Sequence, residues 1–145
     1  MVRGFFMNQY RLAYIVLRYG LAIVLVWFGI SQILDNAAWV GFVPIWTHSV
    51  LFLEPTSVIL INGFFEVVTG VLLGLRLFVR PVAFVVAVNF ALITFEIGLT
   101  AIGLRDFGLT AAALALALFP SPKEYALQSP PSPSPSPSSH DTPSR

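Results

Sequence analysis

Four long apolar runs fill most of this 145-residue chain and leave few folds open to it. They cover about residues 14–34, 57–77, 81–98 and 100–119. Each approaches the roughly 20 residues a helix needs to cross a bilayer. Backbone polar groups in lipid must find partners inside their own helix or around a closed barrel, so apolar runs of this length read as helices. Only 10% of residues are charged and the mean hydropathy is +0.82, whereas soluble domains carry about 25% charged residues. Lipid is therefore the expected solvent. The expected fold is an all-α membrane protein, an antiparallel four-helix transmembrane bundle over residues 14–119. Residues 1–13 read as a cytoplasmic or interfacial N-terminus and residues 120–145 as a tail.

The fourth run adds a constraint. Its clearest apolar part, Phe107 to Phe119, covers about 20 Å at about 1.5 Å per residue, short of a hydrocarbon core of about 30 Å. To span, it must begin near Thr100 or Ile102, which carries Arg105 and Asp106 below the interface. Breakers separate the runs. Pro55-Thr56-Ser57 offers a helix start, Arg80-Pro81 places proline in a first turn, and Pro120 and Pro122 stop the fourth run. The short connection Phe78-Val79-Arg80 implies an antiparallel pair of the second and third helices.

Charge placement orients the bundle. Arg3, Arg11, Arg18, Arg76, Arg80, Lys123 and Arg145 share one side of a four-span topology, and only Arg105 of the eight Lys/Arg residues falls on the other. The positive-inside rule then puts both termini in the cytoplasm of a multi-pass protein of the cell membrane. No cleavage pattern follows the basic start, so the first run reads as a retained span. Arg18, one turn inside that span, is expected to snorkel to the headgroups, with a buried structural pair as the alternative. The alternating Ser-Pro stretch from Ser129 is low in complexity and is expected to be disordered, with His140 inside it.

Absences bound the chemistry. The chain has no cysteine and two histidines, which excludes disulfides, thiolate metal sites and a bis-histidine haem within one chain. No zinc spacing, phosphate loop or nucleophile constellation occurs, so no metal site and no intrinsic redox centre is expected. A net charge of +1 gives no argument for nucleic acid.

Small residues recur at helical spacing at Gly70 and Gly74, at Ala83, Ala87 and Ala91, and from Ala111 to Ala117. Such patterns allow close helix approach in lipid. In the first span Arg18, Ala22, Leu25, Gly29 and Gln32 share a stripe expected to face inward. The polar residues gather in the outer halves of the spans. Gln32 ends the first, Asn62 and Glu66 lie one turn apart in the second, Glu96 ends the third, and Arg105 and Asp106 enter the fourth. Asn89 could extend the group downward.

A carboxylate in the middle of an apolar span is a functional-site hypothesis by default, so an outward-facing cleft ending near Glu66 is expected. Arg105, the only cation on that side, is the natural counter-charge for Glu66 or Glu96; an outer-interface cap made with Asp106 is the alternative. Glu66 itself serves either a ligand or proton role or a structural one. Trp39, Phe42, Trp46 and Phe52 crowd the long connection from Asp35 to Thr56 and allow a lid over the cleft. His48 in that loop reads as an interfacial anchor.

The assembled residues resemble the DoxX family of small four-span membrane proteins. The likeness covers about Arg18 to Phe119. It rests on Arg18, on Trp27-Phe28-Gly29 with Gln32-Ile33-Leu34, and on Trp39-x-x-Phe42-Val43-Pro44-x-Trp46. Gly63-x-x-Glu66-x-x-x-Gly70-x-Leu72-Leu73, Arg80 and Arg105-Asp106-Phe107-Gly108-Leu109 complete it. The resemblance implies a membrane subunit linked to oxidoreductase systems, with partner oxidoreductase subunits or further copies of itself, and quinone as the candidate cofactor. Where the family often has lysine in a Gly-x-x-Lys-Leu pattern, this chain has Gln32. The expected site joins Glu66 and Arg105 as reacting groups to Gln32, Asn62, Glu96, Asp106, Trp39 and Trp46 as binding groups. A non-catalytic assembly subunit and a small transporter or proton pathway are the competing functions.

Overall fold

We analysed a computed structural model, described over residues 2–44, 52–98 and 100–128. Trp46, His48 and the Ser-Pro tail lie outside the described residues. The chain forms α1 (Val2–Leu34), a 3-10 segment (Asn36–Phe42), α2 (Pro55–Gly74), α3 (Val79–Ile97), α4 (Ala101–Leu118) and a short α5 (Pro122–Gln128). The first four α-helices are long and apolar enough to span, with Met7–Leu34 the apolar part of α1. Among the described residues there is no strand.

Two boundaries move from the sequence reading. The N-terminal segment is not separate from the first span, because α1 starts at Val2 and runs for 33 residues. At about 50 Å it exceeds the hydrocarbon core by several turns. The tail also begins with structure. Ser121 and Glu124 form a reciprocal cap, the Ser121 backbone N–H donating to the carboxylate at 2.7 Å and the Glu124 N–H to the Ser121 hydroxyl at 3.3 Å. The resulting α5 docks on α1 by a Tyr10–Tyr125 ring stack at 4.3 Å. The fourth span begins where the length argument required. Thr100 is its N-cap, its hydroxyl accepting from the Gly103 N–H at 3.1 Å.

The helices pair as two hairpins. α1 packs along α2 and α3 along α4, while the α1–α4 seam and the α2–α3 seam, the latter joined by a short connection, are both sparse. That connection closes tightly. Arg76 and Phe78 take left-handed backbone at φ 63° and 48°, and the Leu77 and Arg76 N–H groups fold back onto the Leu72 and Leu73 carbonyls in a helix-ending motif.

All five residues of the inward stripe on α1 are buried. Arg18 is only 2% exposed, so it does not snorkel. Its Nη1 donates to the carbonyls of Leu73 and, at 2.9 Å, Gly74 at the C-terminal end of α2. Arg80 does the same for α4, donating from Nε to the Ala117 carbonyl at 3.2 Å. Both arginines thus meet the negative ends of helix dipoles. Above Arg18 the core is apolar, with Leu21, Leu25, Leu73, Val86 and Leu116 buried between the hairpins.

Candidate functional site

The site starts from two glycines. A Cβ on Gly29 would lie 2.5 Å from the Gly63 carbonyl oxygen, and one on Gly63 would lie 2.9 Å from that of Gly29. Only glycine lets α1 and α2 approach this closely here. Gly70 meets α1 in a similar way, whereas Gly74, its expected packing partner, has open space around it. The spacing that matters is therefore Gly63 with Gly70.

Close approach brings Gln32, one turn beyond Gly29, against Glu66, one turn beyond Gly63. Gln32 Nε2 donates to Glu66 Oε2 at 2.9 Å. Asn62 Nδ2 donates to Glu66 Oε1 at 2.9 Å and to Gln32 Oε1 at 2.9 Å. Asn89 Nδ2 reaches across from α3 to Asn62 Oδ1 at 3.3 Å. Donation therefore runs from Asn89 through the amides and ends on the carboxylate. Glu66 is 2% exposed and Gln32 5%. Each carboxylate oxygen keeps a second lone-pair direction for another donor.

The expected contact between Glu66 and Arg105 does not form. Arg105 bonds its sequence neighbour instead, with Nη2 2.7 Å and Nε 2.8 Å from Asp106 Oδ1. Its guanidinium also lies 4.3 Å over the Phe28 ring. The physical reason is proximity. The adjacent carboxylate takes two guanidinium hydrogens without the side chain having to cross the bundle to Glu66. The pairing is the one the alternative named, with Asp106 1% exposed and the Arg105 side chain 34% exposed.

Glu66 and Arg105 nevertheless face one cavity of about 260 Å³. Gln32, Asn62, Asn89, Glu96, Asp106 and Trp39 also line it. Of the expected site residues, all but Trp46, which lies outside the described residues, meet there. The 3-10 segment closes one end, Trp39 packing edge-on against Phe28 at 5.7 Å and against Phe42 at 6.1 Å. Of the four aromatics expected over the cleft, Trp39 and Phe42 line the cavity, whereas Phe52 is 88% exposed and does not. Phe28 and Phe90 complete the apolar wall. Sequence reasoning did not single them out, because a phenylalanine inside an apolar run looks the same whether it faces lipid or a cavity. Their positions four residues before Gln32 and next to Asn89 were the available signal.

A family model described as DoxX matches residues 13–99, more than half of the chain. The chain belongs to the DoxX family. The matched region holds Gln32, Asn62, Glu66, Asn89 and Glu96 and ends before Arg105 and Asp106. Comparison with curated proteins and with solved structures gave no match. In this DoxX protein the position where the family resemblance leads one to look for lysine is occupied by an amide that donates to Glu66.

The chemistry available at the cavity is an acceptor facing a cation. Glu66 takes hydrogens and can exchange a proton with a ligand. Arg105 uses two of its five N–H groups on Asp106, leaving three to hold an oxygen. Among the described residues no cluster of His, Asp and Glu is arranged to hold a metal ion.

Proposed function

We propose that this DoxX protein is a membrane subunit of an oxidoreductase system and that its cavity holds the head of a quinone. One observation carries the reading: a largely apolar cavity among spanning helices on which the Glu66 acceptor and the Arg105 donors both face. Its volume of about 260 Å³ lies just under the roughly 300–1,000 Å³ typical of sites for drug-sized ligands. A single ring suits that space.

In quinol oxidation one ring hydroxyl donates to Glu66, which takes its proton. Arg105 holds the negative charge that develops on a ring oxygen. Two electrons leave for a redox centre on a partner subunit, because this chain has no cysteine and too few histidines to carry one. The second proton passes to solvent and the quinone remains. Partner subunits, a cell-membrane location and cytoplasmic termini at the arginine-bearing end belong to the same proposal.

Purification in mild detergent followed by organic extraction tests it. Wild-type protein should retain quinone, and Arg105→Gln should lose most of it at unchanged fold. A wild-type preparation that holds no quinone and does not respond to added quinone ends the reading.

A second reading has its own support. Gln32 and Asn62 already occupy both Glu66 oxygens and tie α1 to α2, as an assembly subunit would require. It predicts that Glu66→Gln leaves the activity of an associated complex intact while altering its assembly. A through-route for protons or solutes has less support. The polar network gives way to the apolar layer of Leu25, Leu73, Val86 and Leu116, and a proton-flux assay in liposomes decides the point.

A further inference from the structure

The cavity has walls of unequal quality, and the differences give a direction. On the α1–α4 side, Phe28 lies under the Arg105 guanidinium at 4.3 Å, and Asp106 holds that guanidinium in place. At the end Trp39 and Phe42 pack in series against Phe28, edge-on and tilted. Beneath lie the Glu66 network and Phe90, which is 3% exposed. The α2–α3 side is different. There, at cavity depth, Asn89 donates across to Asn62 at 3.3 Å.

One turn above that bond stand Val58 on α2 and Leu92 on α3. Both line the cavity, yet Leu92 is 62% exposed. A side chain that lines a cavity and is also largely exposed marks a place where the cavity reaches the surface. In a spanning helix that surface is lipid. Glu96, one further turn up α3, also lines the cavity and is exposed, which places the polar lip above the apolar one.

We propose that the cavity is loaded from the lipid phase through the α2–α3 seam, between Val58 and Leu92 and above the Asn62–Asn89 bond. This rests on the quinone reading and narrows it. The ligand class is a membrane-resident quinone whose apolar tail stays in the seam while its head sits against Glu66 and Arg105. The Val58 and Leu92 side chains are the gate, and the Asn62–Asn89 bond is its lower sill.

A gate and a wall differ kinetically. A gate changes association and dissociation rates together and leaves Kd nearly unchanged, whereas a wall changes Kd. The test is stopped-flow loading of a decyl-tailed benzoquinone into the full-length protein reconstituted in phosphatidylcholine vesicles. Leu92→Trp should slow both rates about tenfold or more, within the one to three decades by which rates vary among variants of one site. Leu92→Ala should speed both, which keeps the test open if the tryptophan variant does not fold. Leu104→Trp, at an exposed position on α4 that does not line the cavity, should leave the loading rate within about twofold of wild type.

Rates indifferent to both Leu92 variants, or an equal slowing in Leu104→Trp, overturn the seam route while leaving the quinone site standing. A change in Kd without matched rate changes also overturns it, by making Leu92 a wall. Wild-type protein that binds no quinone removes the underlying reading, and this inference with it.

Discussion

At the arginine-bearing end of the bundle, Arg18 and Arg80 donate to backbone carbonyls at the ends of α2 and α4. At the cavity end, Asn89, Asn62 and Gln32 pass their hydrogens toward a carboxylate. Both arrangements satisfy polar atoms that lipid would leave unpaired. They differ in what can change. A carbonyl has one chemical state, so the first arrangement only holds helices together. A carboxylate has two, and a cavity beside it gives a ligand access. The same requirement for polar satisfaction thus produces a static clamp at one end and a titratable group beside a cavity at the other.

The comparison breaks most completely if the helices themselves part. Gly29→Leu places a branched side chain where even a Cβ would stand 2.5 Å from the Gly63 carbonyl oxygen. A cost at or above about 3 kcal/mol, the upper part of the overpacking range, is expected. The variant should fail to give a monodisperse peak in detergent chromatography. Arg18→Ala attacks the static end alone. Losing charged hydrogen bonds to Leu73 and Gly74 should cost about 1.5–3 kcal/mol, read as a lower melting temperature, with quinone binding retained in the molecules that stay folded.

Asn62→Leu attacks the other end. It removes the donor to both Gln32 and Glu66 and the acceptor for Asn89. About 1–2 kcal/mol of stability should go, together with ligand binding, so stability and binding fall in parallel here and separately in Arg18→Ala. Glu66→Gln is smaller in stability, about 0.5–1 kcal/mol, because one of its two amide donors now meets an NH₂ group. Retained quinone with lost turnover would mark Glu66 as the proton acceptor; unchanged turnover with altered assembly would mark it as a tie between helices.

The smallest effect concerns α5. The Ser121 backbone N–H, then the Ser121 side chain and more weakly Arg80, hold the Glu124 carboxyl below its ordinary pKa. A lowered carboxyl pKa contributes fully above the unfolded value and is lost as pH falls through the folded one. Docking of α5 should therefore be constant from neutral pH down to about 5 and loosen only below the usual carboxylate range near 4.3. Tyrosine fluorescence of the Tyr10–Tyr125 stack reports it, and Glu124→Gln should abolish the pH dependence.

The fold was largely legible because lipid imposes one solution per apolar run. Spans, proline stops and the deep start of α4 at Thr100 came from length and hydropathy alone. Helix pairing was less so. The short Phe78-Val79-Arg80 connection implied only that α2 and α3 are antiparallel, and the glycines at 29, 63 and 70 draw α2 closest to α1. At the site, Gln32, Asn62, Glu66, Glu96, Arg105 and Asp106 were identifiable as polar residues in an apolar medium. Their partners were not. Arg105 had two carboxylates to choose from, and only side-chain reach assigns it to Asp106.

By itself, the sequence determined that the chain spans the membrane four times, that its polar spanning residues gather at one end, and that Glu66 lies too deep to be left without a partner. The reason is solvation, which depends on residue type and depth and is written in linear order. Tertiary structure decided that Arg18 is buried under the end of α2 and that amides rather than Arg105 bond Glu66. Those outcomes depend on which helix faces approach and by how much. A few tenths of an ångström at Gly29 and Gly63 govern that approach, and no count of residues along the chain contains it.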